Sequence, residues 1–223
     1  MINYHPSLAV LKEFVAGTLP ASVSIVVSSH VEMCQTCQAQ IQQLTDAAAT
    51  EAFKHQEAFD FLSDRDDNSA SIDMLNAIMS QPVDNVIPRP KTITEIEISG
   101  ARITLPRAMK SIGLKEWQGI GKISRARLDL EDSAMRTSLL HIDKGGSVPQ
   151  HSHKGFELTL LLDGSFEDEF GRYQKGDFIW LDETHTHTPT TTEGCVCLTV
   201  SSDALHFTQG VSQLLNPLGK LIY

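Results

Sequence analysis

The chain is expected to fold as two domains of different class, an all-helical segment followed by an all-β sandwich or barrel. Three observations predict this. Apolar residues recur at helical spacing over the first 45 residues and again near residue 75. Short β-branched runs divided by glycine and aspartate fill the sequence beyond residue 90. Between them, Pro82-Val-Asp-Asn-Val-Ile-Pro-Arg-Pro90 carries three prolines in nine residues. Proline removes a donor and disfavours helix in the residue before it, so this stretch reads as an extended linker.

Leu8, Leu11, Phe14 and Val15 mark the first helix, with Gly17 placed to stop it. Pro20 opens a second helix running toward His30. A third runs from about Cys34 through Ile41 and Leu44. An acidic, polar stretch follows between Asp60 and Ser69, and then Ile72, Leu75, Ile78 and Met79 fall on one side of a short helix. This last stripe is suited either to packing on the first three helices or to binding a partner. Strands are expected at Thr92–Ile98, Lys122–Leu130, Arg136–Ile142, Glu157–Leu162, Asp177–Leu181 and Cys195–Val200. The domains are therefore residues 1–85, a linker and lead-in over 86–97, and 98–223.

Of 223 residues, 41% are hydrophobic and 21% charged, ordinary values for a globular protein. No apolar run approaches the roughly 20 residues that span a bilayer, and the N-terminus lacks the features of a secretion signal. A cytoplasmic protein with no membrane association is expected. The formal charge is −10, and the first 90 residues hold 11 acidic but only 4 basic residues. That balance disfavours direct nucleic-acid binding, which needs clustered cations. It suits a basic protein partner, although acidic surfaces also serve solubility alone.

His30-Val-Glu-Met-Cys34-Gln-Thr-Cys37 has HxxxCxxC spacing. On one helix, positions i, i+4 and i+7 lie within about 60° of each other, so the three side chains converge. An imidazole and two thiolates supply three of the four donors of a tetrahedral zinc site. His5 is the best remaining donor. A buried structural pair or a redox CxxC has the same spacing, but redox sites favour a βαβ context that is absent here. A bundle this small has little core, and a bound zinc would supply much of its folding energy.

A second constellation follows Gly145: His151-Ser-His153, then Glu157, then Gly164. Strand alternation lets 151, 153 and 157 face one way. Beyond Gly176-Asp177, His187 can bring a third imidazole to the same cavity; it is preferred to His185, which shares its parity. His141 can also face the interior but reads as a packing residue; His55 and His206 read as surface or packing residues with no metal role. Cys195 and Cys197 point to one side of a strand, either as two small buried side chains or as an oxidant-responsive pair.

The segments Gly145–Gly164 and Gly171–Pro189 resemble the two motifs of the cupin superfamily, with Asp182 standing where many cupins have proline. That resemblance implies a double-stranded β-helix, or jelly-roll, barrel. A helical HxxxCxxC domain joined to a cupin is similar over nearly the whole chain to the ChrR family of anti-sigma factors, in which a zinc-binding domain precedes a cupin-like one. It implies that His5, His30, Cys34 and Cys37 hold one zinc, and that His151, His153, Glu157 and His187 hold another. The partner implied is a sigma factor of the extracytoplasmic-function type. The helical domain would sequester it, and the cupin would be needed to release it on exposure to singlet oxygen or organic hydroperoxide. The alternative is an enzyme, a cupin dioxygenase or related oxidoreductase whose site holds iron, manganese or nickel. Homo-oligomerisation is compatible with either.

Overall fold

The computed structural model describes residues 1–54, 68–82, 92–130, 132, 135–203 and 205–208. His55, most of the acidic stretch and most of the proline-rich linker lie outside the described residues. Helix α1 spans Leu8–Ala16; the Ser7 hydroxyl accepts Val10 N–H, and Gly17, at φ 69°, ends the helix in the left-handed region. Pro20 leads into α2, Ala21–Met33, and α3 runs Gln35–Phe53, well past the apolar pair that predicted it. The three pack on one another. No single described helix is long and apolar enough to cross a membrane.

One expectation is corrected here. His30, Cys34 and Cys37 do not share a continuous helix. The chain breaks at Cys34, whose φ of −114° and ψ of 104° are extended, so Cys34 sits between α2 and α3. The three side chains converge across this corner instead of along one face.

Helix α4, Asn68–Met79, leaves Ile72, Leu75, Ile78 and Met79 between 51% and 76% exposed. The stripe is thus open and is not packed on the first three helices.

Thirteen strands follow among the described residues. A hairpin of β1 (Glu95–Ile98) and β2 (Ala101–Thr104) precedes the main sheet. The eight-stranded sheet contains β3 (Gly113–Leu114), β4 (Gln118–Ile120), β5 (Ile123–Asp129), β6 (Arg136–Ile142), β8 (Phe156–Asp168), β9 (Gly171–Gln174), β10 (Phe178–Asp182) and β12 (Cys195–Ser201). Its main order is β10-β8-β12-β6-β5-β3, with β4 on β5 and β9 on β8. A second, three-stranded sheet has β7 (His151–His153) between β11 (Thr186–His187) and β13 (Leu205–Phe207). All pairings are antiparallel, as a jelly-roll requires.

The two faces of the large sheet have different tasks. Leu139, Leu158, Leu160, Leu198 and Val200 form one core with Leu11, Val23, Val26 and Val27 of the helices. Helix α2 packs directly on β8 and β12. The opposite face sends Ile142, Leu161, Cys195 and Cys197 into a second core with Val148 and Phe166. His141 pairs with Val196 and shares the parity of Leu139, so it lies away from the barrel interior, in keeping with a packing role. Where β8 bends, Gly164 has φ 75°, and a Cβ there would lie 2.1 Å from the Gly194 carbonyl oxygen. Only glycine fits that approach.

Candidate metal centres

The first cluster joins the N-terminal segment to the α2–α3 corner. His5 Nδ1 lies 3.4 Å from Cys34 Sγ and 3.5 Å from Cys37 Sγ, and His30 Nε2 lies 3.3 Å from Cys37 Sγ. All four ligand atoms fall within 4.8 Å of one another. Zinc bonds of about 2.3 Å to sulfur and 2.0–2.1 Å to nitrogen give a tetrahedral N···S edge of about 3.5 Å, matching this spacing. His30 is fully buried and donates its Nδ1–H to the Gly176 carbonyl at 2.8 Å, which leaves the Nε2 lone pair facing the cluster. Burial, with Cys34 alongside, pushes the Cys37 thiol up to about 12 without a metal. A cation bound there would favour the thiolate.

The second cluster lies inside the barrel. β7 supplies His151 and His153, β8 supplies Glu157, and β11 supplies His187. His187 Nε2 stands 3.1 Å from His151 Nε2 and 3.3 Å from His153 Nε2; Glu157 Oε2 is 3.5 Å from His153 Nε2 and 3.9 Å from His187 Nε2. His151 donates Nδ1–H to the Pro149 carbonyl, and His187 donates Nδ1–H to Asp168 Oδ2, each at 2.8 Å. In the neutral form that ligates a metal, each ring that donates Nδ1–H carries its lone pair on Nε2, and two lone pairs at 3.1 Å repel. A cation between them removes that conflict, so the donor set fits a metal. His185 hydrogen-bonds Asp182 and Thr184 on the surface, apart from this cluster.

Burial, reinforced by neighbouring imidazoles, lowers His151 to about 4 and His153 to about 3 in the metal-free chain. Relative to the ordinary 6.5, the folded chain then binds fewer protons than the unfolded one, and stability is lost as pH falls below about 6.5. Glu157, raised by burial to about 7 from 4.5, acts oppositely: its contribution is present below pH 4.5 and lost as pH rises through 7. With two histidines against one carboxylate, the metal-free chain should melt at progressively lower temperature from pH 6.5 to 4, as followed by circular dichroism in chelator. A melting temperature that is flat or rising across that window would contradict this account of the buried histidines.

Sequence reasoning missed the groups that support these ligands. Burial pushes the Asp168 carboxyl up, but hydrogen bonds from His187 and from Phe170 and Gly171 N–H outweigh it and hold it below the usual range. Burial, then Asp168 and Tyr4, pushes the Tyr173 phenol up, and the Tyr173 ring packs on Tyr4 with centroids 4.7 Å apart. Tyr4 precedes His5. Asp177, fully buried, accepts N–H groups from Asn3 at 2.7 Å and Tyr4 at 3.1 Å, and Phe178 N–H donates to the Tyr4 carbonyl. Gly176, at φ 92°, leaves room for Ile2, whose side chain would lie 2.5 Å from a Cβ. Contacts thus run from His187 through Asp168, Tyr173 and Tyr4 to the first cluster. Cys195 and Cys197 are both buried free thiols; a hydrogen bond with Cys195, then burial, raises the Cys197 thiol further.

Comparison with known proteins agrees with this architecture. Residues 109–205 match the family model described as the ChrR cupin-like domain. The chain is 28% identical over 222 residues, covering 99% of both chains, to the anti-sigma-E factor ChrR of Cereibacter sphaeroides. The crystal structure of Rhodobacter sphaeroides SigE in complex with the anti-sigma ChrR aligns at 27% identity with a TM-score of 0.62, covering 90% of this chain and 100% of that one. An RmlC-like cupin from Ralstonia eutropha aligns at 14% identity and a TM-score of 0.39, over 44% of this chain and 68% of that one. A helical domain with a His2Cys2 cluster, joined to a ChrR cupin-like domain, gives this chain the build of the ChrR-type anti-sigma proteins that it resembles from end to end.

Proposed function

We propose that this chain is a zinc-dependent anti-sigma factor of the cytoplasm. Its helical domain sequesters an extracytoplasmic-function sigma factor, and its cupin releases that factor in response to singlet oxygen or organic hydroperoxide. The observation that carries the reading is similarity to an anti-sigma factor along the whole chain, combined with four donors at tetrahedral spacing in the helical domain. The residues proposed as zinc ligands are His5, His30, Cys34 and Cys37 in the first site and His151, His153, Glu157 and His187 in the second. When bound, zinc supplies charge and fixed geometry but no redox chemistry. Zinc found at the second site would favour a regulator over a cupin dioxygenase, which would need iron or manganese there and consume oxygen with a substrate.

The open stripe of α4 supports partner binding, since an amphipathic helix commonly lays its apolar face in a partner groove. Replacing Leu75 and Ile78 by Asp should weaken capture of the sigma factor by at least about tenfold while leaving both metals in place. Titration of labelled sigma factor checks this, and unchanged affinity would remove α4 from the interface. The test of the whole reading is co-purification with the sigma factor and inhibition of transcription by its polymerase. Failure of the full chain to inhibit would sink it.

A fragment ending near residue 85 should retain one zinc and still inhibit, but no longer release the sigma factor when oxidant is added. It also loses the His30–Gly176 bond and the sheet beneath α2, so it should melt below the full chain. Normal oxidant-triggered release from the fragment would show that the cupin is not the sensor.

A further inference from the structure

The four donors of the first cluster all come from the helical part of the sequence, but they are not all held there. His5 is the exposed member of the set, whereas His30, Cys34 and Cys37 are buried. Packing therefore does not fix the His5 ring, and its position depends on the chain that leads to it. Among the described residues, the backbone bonds of residues 1–4 go to the β9–β10 turn of the cupin and its two flanking residues. Gln174 Nε2 donates to the Met1 carbonyl, Asp177 Oδ1 accepts the Asn3 and Tyr4 N–H groups, and Phe178 N–H donates to the Tyr4 carbonyl at 3.1 Å. His30, from α2, bonds the same turn through the Gly176 carbonyl.

This turn is pinned to the barrel. Gly176 N–H donates to the Leu161 carbonyl at 2.8 Å, and Leu161 N–H donates to the Asp177 carbonyl at 3.2 Å. Leu161 is fully buried in the second core. The two oxygens of the buried Asp177 carboxylate divide the work. Oδ2 closes the turn by accepting Gln174 N–H at 2.8 Å, and Oδ1 holds the N-terminal segment. Bonds from N–H groups to a carboxylate are about twice as strong as neutral ones.

We propose that the first metal centre is an interdomain site, with Asp177 as its positioning residue. Cys34 and Cys37 hold the ion from the helical corner, while the cupin turn presents His5 and orients His30. A ligand already in place binds a metal more tightly, because it has less freedom to lose. The ion and the docking of the two domains are then linked: docking tightens the ion by the factor by which the ion tightens docking. A fragment ending near residue 85 keeps all four donors and fills with zinc, but holds it more weakly than the full chain. The inference rests on the reading of this cluster as a metal centre and is independent of the sigma factor.

Chelator titration of the cobalt-loaded full-length chain tests this. Thiolate-to-cobalt charge-transfer absorption reports the first site alone, because the second donor set contains no sulfur. Asp177→Ala should weaken the first site by about 10–100-fold, while the cobalt of the second site stays bound as in the parent. Asp177 lies in the cupin, so a residue that only stabilised its own domain would give the reverse. A weakened second site beside an unchanged first would overturn the proposal, and so would equal weakening of both. If Asp177→Ala fails to fold, Asn3→Pro decides, since it removes the 2.7 Å donor from the N-terminal side and leaves the cupin intact. It should weaken the first site by about tenfold, and unchanged affinity would overturn the assignment. A parent chain without the charge-transfer band would overturn the metal reading and this proposal together, whereas a band indifferent to both changes overturns this proposal alone.

Discussion

Replacing Cys34 and Cys37 together by serine should lower the zinc content from two per chain to one and abolish capture of the sigma factor in the same variant. The effect is large because of what this cluster joins. His5 comes from the N-terminal segment, His30 from α2, Cys34 from the corner and Cys37 from the first turn of α3. The helices bury few residues by themselves; α3 has only Cys37 fully inside. Structural zinc contributes about 10–16 kcal/mol in small metal-dependent folds, more than the whole stability of a typical domain. The variant should therefore lose helical signal and one cooperative thermal transition. Metal analysis with a sigma-binding titration checks it, and a zinc-free first site that still inhibits would separate this cluster from the partner-binding fold.

Asp168→Ala should weaken the cupin's hold on its metal by about 10–100-fold and leave the first site untouched. Asp168 makes no contact with the proposed ion. It accepts Nδ1–H of His187 at 2.8 Å, fixing the tautomer that presents Nε2 to the cluster, and its carboxylate is fully shielded from solvent. Without it, His187 is free to turn and to carry its proton on the wrong nitrogen. Competition against a chelator measures the change. Equal affinity in variant and parent would mean that the barrel walls alone orient the ring.

Both donor sets were legible because their spacing is local. HxxxCxxC and His-Ser-His followed by Glu157 keep most ligands of each set within a few residues, although the chain turns within each set, at Cys34 in the first and between β7 and β8 in the second. A break between two helices near Cys34 was legible, but the extended conformation of Cys34 was not, since no proline or glycine marks it. The supporting groups were not legible either, because each bond closes over a long stretch of chain. Asp168 lies 19 residues before His187, and Gly176 lies 146 after His30. Each expected strand has a counterpart, with β1 starting only at Glu95 and β8 running on to Asp168. β3 and β11 have two residues each, too few for a period to show.

The carbonyl that fixes the His30 tautomer has a further consequence during synthesis. Domains emerging first from the ribosome generally fold first. Here the helices emerge first, yet the β9–β10 turn that bonds His30 and anchors residues 3 and 4 is made only when more than three-quarters of the chain has been translated. The nascent helical domain therefore passes through a period in which its ligands are present but unbraced, and its apolar α2 face waits for a sheet not yet made. Maturation of the first cluster waits on distant sequence: the β9–β10 turn, whose Asp177 lies 173 residues after Tyr4, completes the seating of the first residues.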